Sequence, residues 1–128
     1  MNDIVNKLAT DFDLMKGWFE HLHRNPELSM QETKSAQYIA DILRSFGEYE
    51  VETGIGEYGI VASLKVGDSD KVIGLRADFD ALPIQEDNDL DYCSETPKVA
   101  HLCGHDAHTT MLLAAAKYIA ETKNFNGT

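Results

Sequence analysis

The chain has 128 residues, 43% of them hydrophobic and 26% charged, the proportions of one ordinary folded domain rather than of a disordered or fibrous chain. Eleven Lys and Arg against 22 Asp and Glu leave a net charge of −11, which opposes binding to phosphate backbones and anionic membrane surfaces, so nucleic acid and membrane are poor partners. No apolar run approaches the ~20 residues that span a bilayer, and the N-terminus lacks the basic and apolar blocks of a leader, so the expectation is a cytoplasmic chain that nothing targets or anchors.

From Ile4 to Leu22, the apolar residues Ile4, Leu8, Phe12, Met15, Phe19 and Leu22 recur at spacings of three and four, which predicts one amphipathic helix. Asn25-Pro26 stops it, because proline has no N–H and disfavours helical geometry in the residue before it. Ser29 and Glu32 have capping-box spacing. The apolar positions Ala36, Ile39, Ala40, Leu43 and Phe46 then predict a second helix that ends at Gly47.

The pattern next shortens to segments rich in β-branched residues, which predicts strands at about Tyr49–Thr53, Gly59–Val66 and Lys71–Ala77. The turn-forming Gly67-Asp68-Ser69-Asp70 makes the last two a hairpin, and the run Val72, Ile73, Leu75 reads as a strand covered on both faces. Leu82 to Val99 is a long acidic loop with Glu86, Asp87, Asp89, Asp91 and Glu95, of a length that usually signals function. Ala107 to Glu121 is apolar nearly all round and reads as a buried third helix. The order α-α-β-β-β-α predicts a layered α/β architecture.

Two segments carry chemistry. At the end of the most hydrophobic strand, Arg76-Ala77-Asp78-Phe79-Asp80 places two carboxylates at i and i+2, on one side of an extended backbone. Adjacent carboxylates repel unless a cation lies between them. The alternative is a pair of solvated acids with Arg76 as an ion-pair partner. In the second segment, His101 to His108, three histidines and one cysteine occupy eight positions just before the third helix. Cys103 and His105 stand at i, i+2, and His105 and His108 lie one helical turn apart. Thiolate with imidazole suits zinc and other late first-row divalent ions. A competing reading makes Cys103 a nucleophile activated by His105 or His108, which leaves Asp78 and Asp80 without a role. His21 and His23 read as structural or solvated residues, Trp18 beside Phe19 reads as core rather than a substrate platform, and Gly54-Ile55-Gly56 lacks the context of a phosphate loop.

Three segments, His21-Leu22-His23-Arg24-Asn25-Pro26-Glu27-Leu28-Ser29, Arg76 to Ile84, and Cys103-Gly104-His105-Asp106-Ala107-His108, resemble in order and spacing the N-terminal third of a family of metal-dependent amidohydrolases. That family includes hippurate hydrolase, indole-acetyl-amino-acid hydrolases and N-acetyl-diaminopimelate deacetylase. The resemblance implies the N-terminal part of a dinuclear metallopeptidase-like catalytic domain over residues 1–128, binding two divalent ions (zinc, manganese, cobalt or nickel). It implies a small N-acyl amino acid as substrate and a homodimer for the full-length protein. By position, Cys103 and His105 correspond to metal ligands and Asp80 to the acid that orients a ligand or the metal pair. Asp78 and His108 are possible additional ligands. The family's Glu-Glu pair with its general base, two more ligand histidines and the lid domain have no counterpart in these residues. The expectation is therefore that the 128 residues alone are inactive, and the alternative to a hydrolase is a non-catalytic metal-binding module.

Overall fold

A computed structural model describes residues 2–128. Its elements run α1 (Asn2–Thr10), α2 (Phe12–Arg24), α3 (Thr33–Ser45), β1 (Glu50–Ile55), β2 (Gly59–Ser63) and α4 (His105–Thr122). The architecture is α/β, with helices packed over a small antiparallel sheet.

The expected first helix is two helices, broken at Asp11. Aspartate is a poor residue for a helix interior. Here its carboxylate is drawn 2.8 Å from Lys117 Nζ of α4, which ties the break to the far end of the chain. The capping box at the start of α3 does not form: Glu32 occupies the N-cap position without a side-chain cap bond. The Glu27 carboxylate does that work instead, accepting from the backbone N–H groups of Lys34 (3.1 Å) and Ser35 (2.7 Å). Two orphan donors of the first turn are thereby satisfied by a residue that precedes the intervening turn, where Met30 takes a positive φ of 64°.

The core forms where the apolar faces of α2, α3 and α4 meet: Trp18 and Leu22, Ile39 and Leu43, Leu113 and Ala116. Val51, Ile60 and Ala62 of the sheet pack against it from below. Tyr49 adds a hydrogen bond from its hydroxyl to the Ala116 carbonyl at 2.9 Å. Despite its apolar sequence, α4 is buried on one side only, and Met111 is 61% exposed.

The hairpin is β1–β2, with Glu50 opposite Ser63 and a bulge between Thr53 and Ile55, where Gly54 has φ 80°. It is not the predicted pair of Gly59–Val66 with Lys71–Ala77. Residues 71–77 form no named strand, and Val72, Ile73 and Leu75 are 72%, 79% and 59% exposed, the reverse of the covered strand expected. A strand buried on both faces needs neighbours on its edges. The Lys71–Ile73 stretch pairs instead with Thr128, whose N–H donates to the Lys71 carbonyl and whose carbonyl accepts from the Ile73 N–H, both at 2.9 Å. Asn126 holds the preceding turn by accepting from the N–H groups of Asp68 and Ser69.

Candidate metal centre

The acidic segment 78–80 reaches α4 because its backbone is secured on both sides. Ala81 N–H donates to the Glu27 carbonyl, Leu82 and Ala100 exchange two hydrogen bonds of 3.0 Å, and the Thr109 hydroxyl donates to the Asp78 carbonyl. α4 begins at His105, two residues earlier than expected, and Gly104 at its N-cap has φ 136°, a conformation that side chains other than glycine's rarely adopt. His105 and His108 are therefore one turn apart on a helix, next to the carboxylates of Asp78 and Asp80.

Asp78, His105 and His108 each offer one ligand atom, and these atoms lie within 4.8 Å of one another. His105 Nδ1 is 2.9 Å from Asp80 Oδ1 and 3.0 Å from the Asp80 carbonyl, while its Nε2 is 3.7 Å from Asp78 Oδ1. Both partners at Nδ1 are acceptors, so Nδ1 carries the proton and Nε2 presents its lone pair to the cluster. A metal-ligating histidine is normally oriented in this way, its second nitrogen donating to a carboxylate or carbonyl. His108 Nδ1 lies 2.9 Å from the same Asp78 oxygen. That hydrogen bond, helped by a backbone hydrogen bond and by electrostatic attraction to the two imidazoles, outweighs partial burial and holds the Asp78 carboxyl below its ordinary range. A donor set of one carboxylate and two imidazoles, half-buried and with one nitrogen already oriented, fits a divalent ion of the zinc type.

Of the residues singled out from sequence, Asp78, Asp80, His105 and His108 come together. Cys103 is exposed, and among the described residues no group of three potential ligands includes it. The i, i+2 argument assumed extended backbone from Cys103 to His105, whereas Gly104 turns the chain and His105 is already helical.

A second array, unread in the sequence, lies beneath the start of α4. His23 of α2 is 6% exposed, with Nδ1 2.7 Å from Asp106 Oδ2 and Nε2 3.0 Å from Glu86 Oε1. Burial alone would lower the His23 pKa, but the hydrogen bonds and charges of Glu86 and Asp106 raise it above its ordinary value. Burial pushes Glu86 up. The Ser94 N–H, the Asn88 amide and His23 outweigh this and bring its pKa down to about 2. Nearby, His101 is buried, its Nε2 without a partner among the described residues, and burial lowers its pKa. The signal for His23 was its place on the buried face of α2, four residues after Phe19 and next to Leu22; its partners are 63 and 83 residues away, beyond the reach of any local pattern.

The sequence profile of peptidase family M20/M25/M40 matches residues 74–128. Over 127 residues the chain is 53% identical to hippurate hydrolase of Campylobacter jejuni, covering 96% of this chain and 32% of that protein. It is 41% identical to the N-acyl-L-amino acid amidohydrolase of Geobacillus stearothermophilus, covering 94% and 32%. The crystal structure of the Bacillus subtilis YXEP protein, described as a dinuclear metal binding peptidase of the M20 family, superposes with a TM-score of 0.83 at 32% identity, over 91% of this chain and 33% of that one. Residues 74–128 thus match peptidase family M20/M25/M40, and nearly the whole chain is similar to the N-terminal part of proteins of that kind. The chain spans about a third of the length of these relatives.

Proposed function

We propose that residues 1–128 are the N-terminal portion of the catalytic domain of a metal-dependent amidohydrolase that cleaves the amide bond of N-acyl amino acids, hippurate among them. The observation that carries this reading is His105, with Nδ1 spent on Asp80 and Nε2 turned toward Asp78 and His108. The 53% identity to a hippurate hydrolase supports the substrate class. In this reading Cys103 and His105 are metal ligands, with Asp78 and His108 as additional ones, and Asp80 fixes the orientation and tautomer of His105. Two divalent ions (zinc, manganese, cobalt or nickel) bound there would polarise the amide carbonyl and lower the pKa of water. The chain's own contribution is geometric. Asp80 keeps the His105 proton on Nδ1, Asp78 stays ionised between two imidazoles, and the hydrogen bonds around residues 80–82 hold both acids against α4.

Cys103, His105 and His108 with one or two carboxylates fall short of a dinuclear centre, which takes about three protein ligands per ion with water completing the shell. The general base, the other ligands and a lid that also mediates dimerisation belong to the remainder of a longer, cytoplasmic homodimeric protein, and residues 1–128 alone are inactive. The test is metal analysis together with hippurate hydrolysis in the full-length protein. His105→Ala and Cys103→Ala are expected to lower metal content and turnover together. Variants with full metal and unchanged rate would remove those residues from the site. Full activity after chelation, with loss on thiol alkylation, would instead make Cys103 a nucleophile.

A further inference from the structure

His105 and His108 are aligned from one side by Asp78 and Asp80, but the turn that carries them is itself held from the other side. Asp106, between the two histidines in sequence, is 3% exposed and points away from the cluster into the protein. Its Oδ1 accepts from the Ala107 N–H at 2.9 Å, its carbonyl accepts from the Thr110 hydroxyl at 2.8 Å, and its Oδ2 faces His23 Nδ1 at 2.7 Å. The other nitrogen of His23 is bonded to Glu86. Glu86 is in turn fixed by the Ser94 N–H at 2.7 Å and the Asn88 amide at 3.0 Å, so the long loop between the two chemical segments is part of the same assembly. Tyr92 of that loop closes over the imidazole edge-on, with ring centroids 5.4 Å apart. All three side chains of the array are at least nine-tenths buried. Such a network is costly to build and rigid once every partner is satisfied.

We propose that His23, clamped between Glu86 and Asp106, is a positioning residue for the metal cluster: it locks the first turn of α4 to α2 and to the 82–99 loop, so that His105 and His108 meet Asp78 already aligned. The inference rests on the metal-site reading of Asp78, His105 and His108. Its physical basis is that a helix turn pinned on one side only can rock about that side. Pinned through both His105 and Asp106, adjacent residues pointing about 100° apart, it has one orientation. Ligands preorganised in this way bind an ion without first losing conformational freedom, and supporting partners of ligands are worth about 10- to 100-fold in metal affinity.

The experiment is a cobalt(II) titration of the full-length protein, reading both affinity and the visible d–d spectrum, alongside thermal unfolding of the metal-free form. Glu86→Gln keeps the shape of the side chain while weakening its hold on His23. It is expected to remain folded, to bind cobalt about tenfold more weakly and to shift the d–d bands, with Glu86→Asp recovering part of the affinity. A folded Glu86→Gln protein with wild-type cobalt affinity and an unchanged spectrum overturns the proposal. If that variant does not fold, His23→Gln is judged by the same criterion. Failure of the underlying metal reading looks different: wild-type protein would bind no cobalt, or His105→Ala would bind it as well as wild type does.

Discussion

The molecule builds two arrays from the same parts, a histidine between two carboxylates, and they have opposite chemical character. His105 stands between Asp78 and Asp80 with its side chain 21% exposed, and its Nε2 is 3.7 Å from the nearest carboxylate oxygen, beyond hydrogen-bond distance. His23 stands between Glu86 and Asp106 with its side chain 8% exposed and both nitrogens within 3.0 Å of an oxygen. The first array is open at one nitrogen and can accept something more; the second is complete and can only hold what it has. Composition and spacing do not separate them. Burial, and whether the last nitrogen is spent, do.

The sharpest way to break this contrast is to remove each imidazole and weigh the folded state. His23→Ala leaves two buried carboxylates facing each other, and the loss of one partner of a buried charged pair costs about 3–5 kcal/mol. His105→Ala, at a partly solvated site, should cost about 1 kcal/mol or less in the metal-free protein. Chemical denaturation of the two variants measures the difference. Equal destabilisation would mean that both arrays are structural.

A smaller effect separates ligand from support within the open array. Asp80→Ala frees His105 Nδ1, allows the ring to turn and change tautomer, and is expected to weaken metal binding by about 10- to 100-fold without abolishing it. Chelator competition reads this directly, and undiminished affinity would show that Asp80 does not orient His105.

The mildest expectation concerns pH. Glu86 is depressed from 4.5 to about 2 on folding, so the stability it contributes is present above pH 4.5 and drains away as pH falls toward 2. His23 is raised, so its contribution is full below its ordinary 6.5 and is lost as pH rises through the higher folded value. The closed array is therefore expected to favour the fold most between about pH 4.5 and 6.5, with stability falling on either side. Glu86→Gln should flatten the acid limb in thermal melts across pH. An acid limb identical in that variant would place the loss elsewhere.

Much of the open array was legible in the sequence. The crowding of His101, Cys103, His105 and His108, and the pair Asp78 and Asp80, pointed to a cation, because residues that repel or compete for protons are seldom gathered without one. The helices were legible for a related reason: burial of one face leaves a helical period in Met15, Phe19 and Leu22 and in Ala36, Ile39 and Leu43 that needs no knowledge of partners. The hairpin was misjudged because Lys71–Ala77 is as apolar as an inner strand, and hydrophobicity records what a segment is suited to contact, not whether the neighbour lies within these residues.

By itself the sequence determined the α/β class, the apolar faces of the helices and the identities of the chemical groups, since these follow from local periodicity and residue type. Only the tertiary structure decided that Glu27 caps α3, that the chain turns at Gly104 so that His108 joins Asp78, and that His23, Glu86 and Asp106 close on one another. Each of these depends on distances set by packing between segments tens of residues apart or by a single backbone angle. Whether a histidine is open to a ligand or sealed among carboxylates is fixed by such distances, and no local pattern contains them.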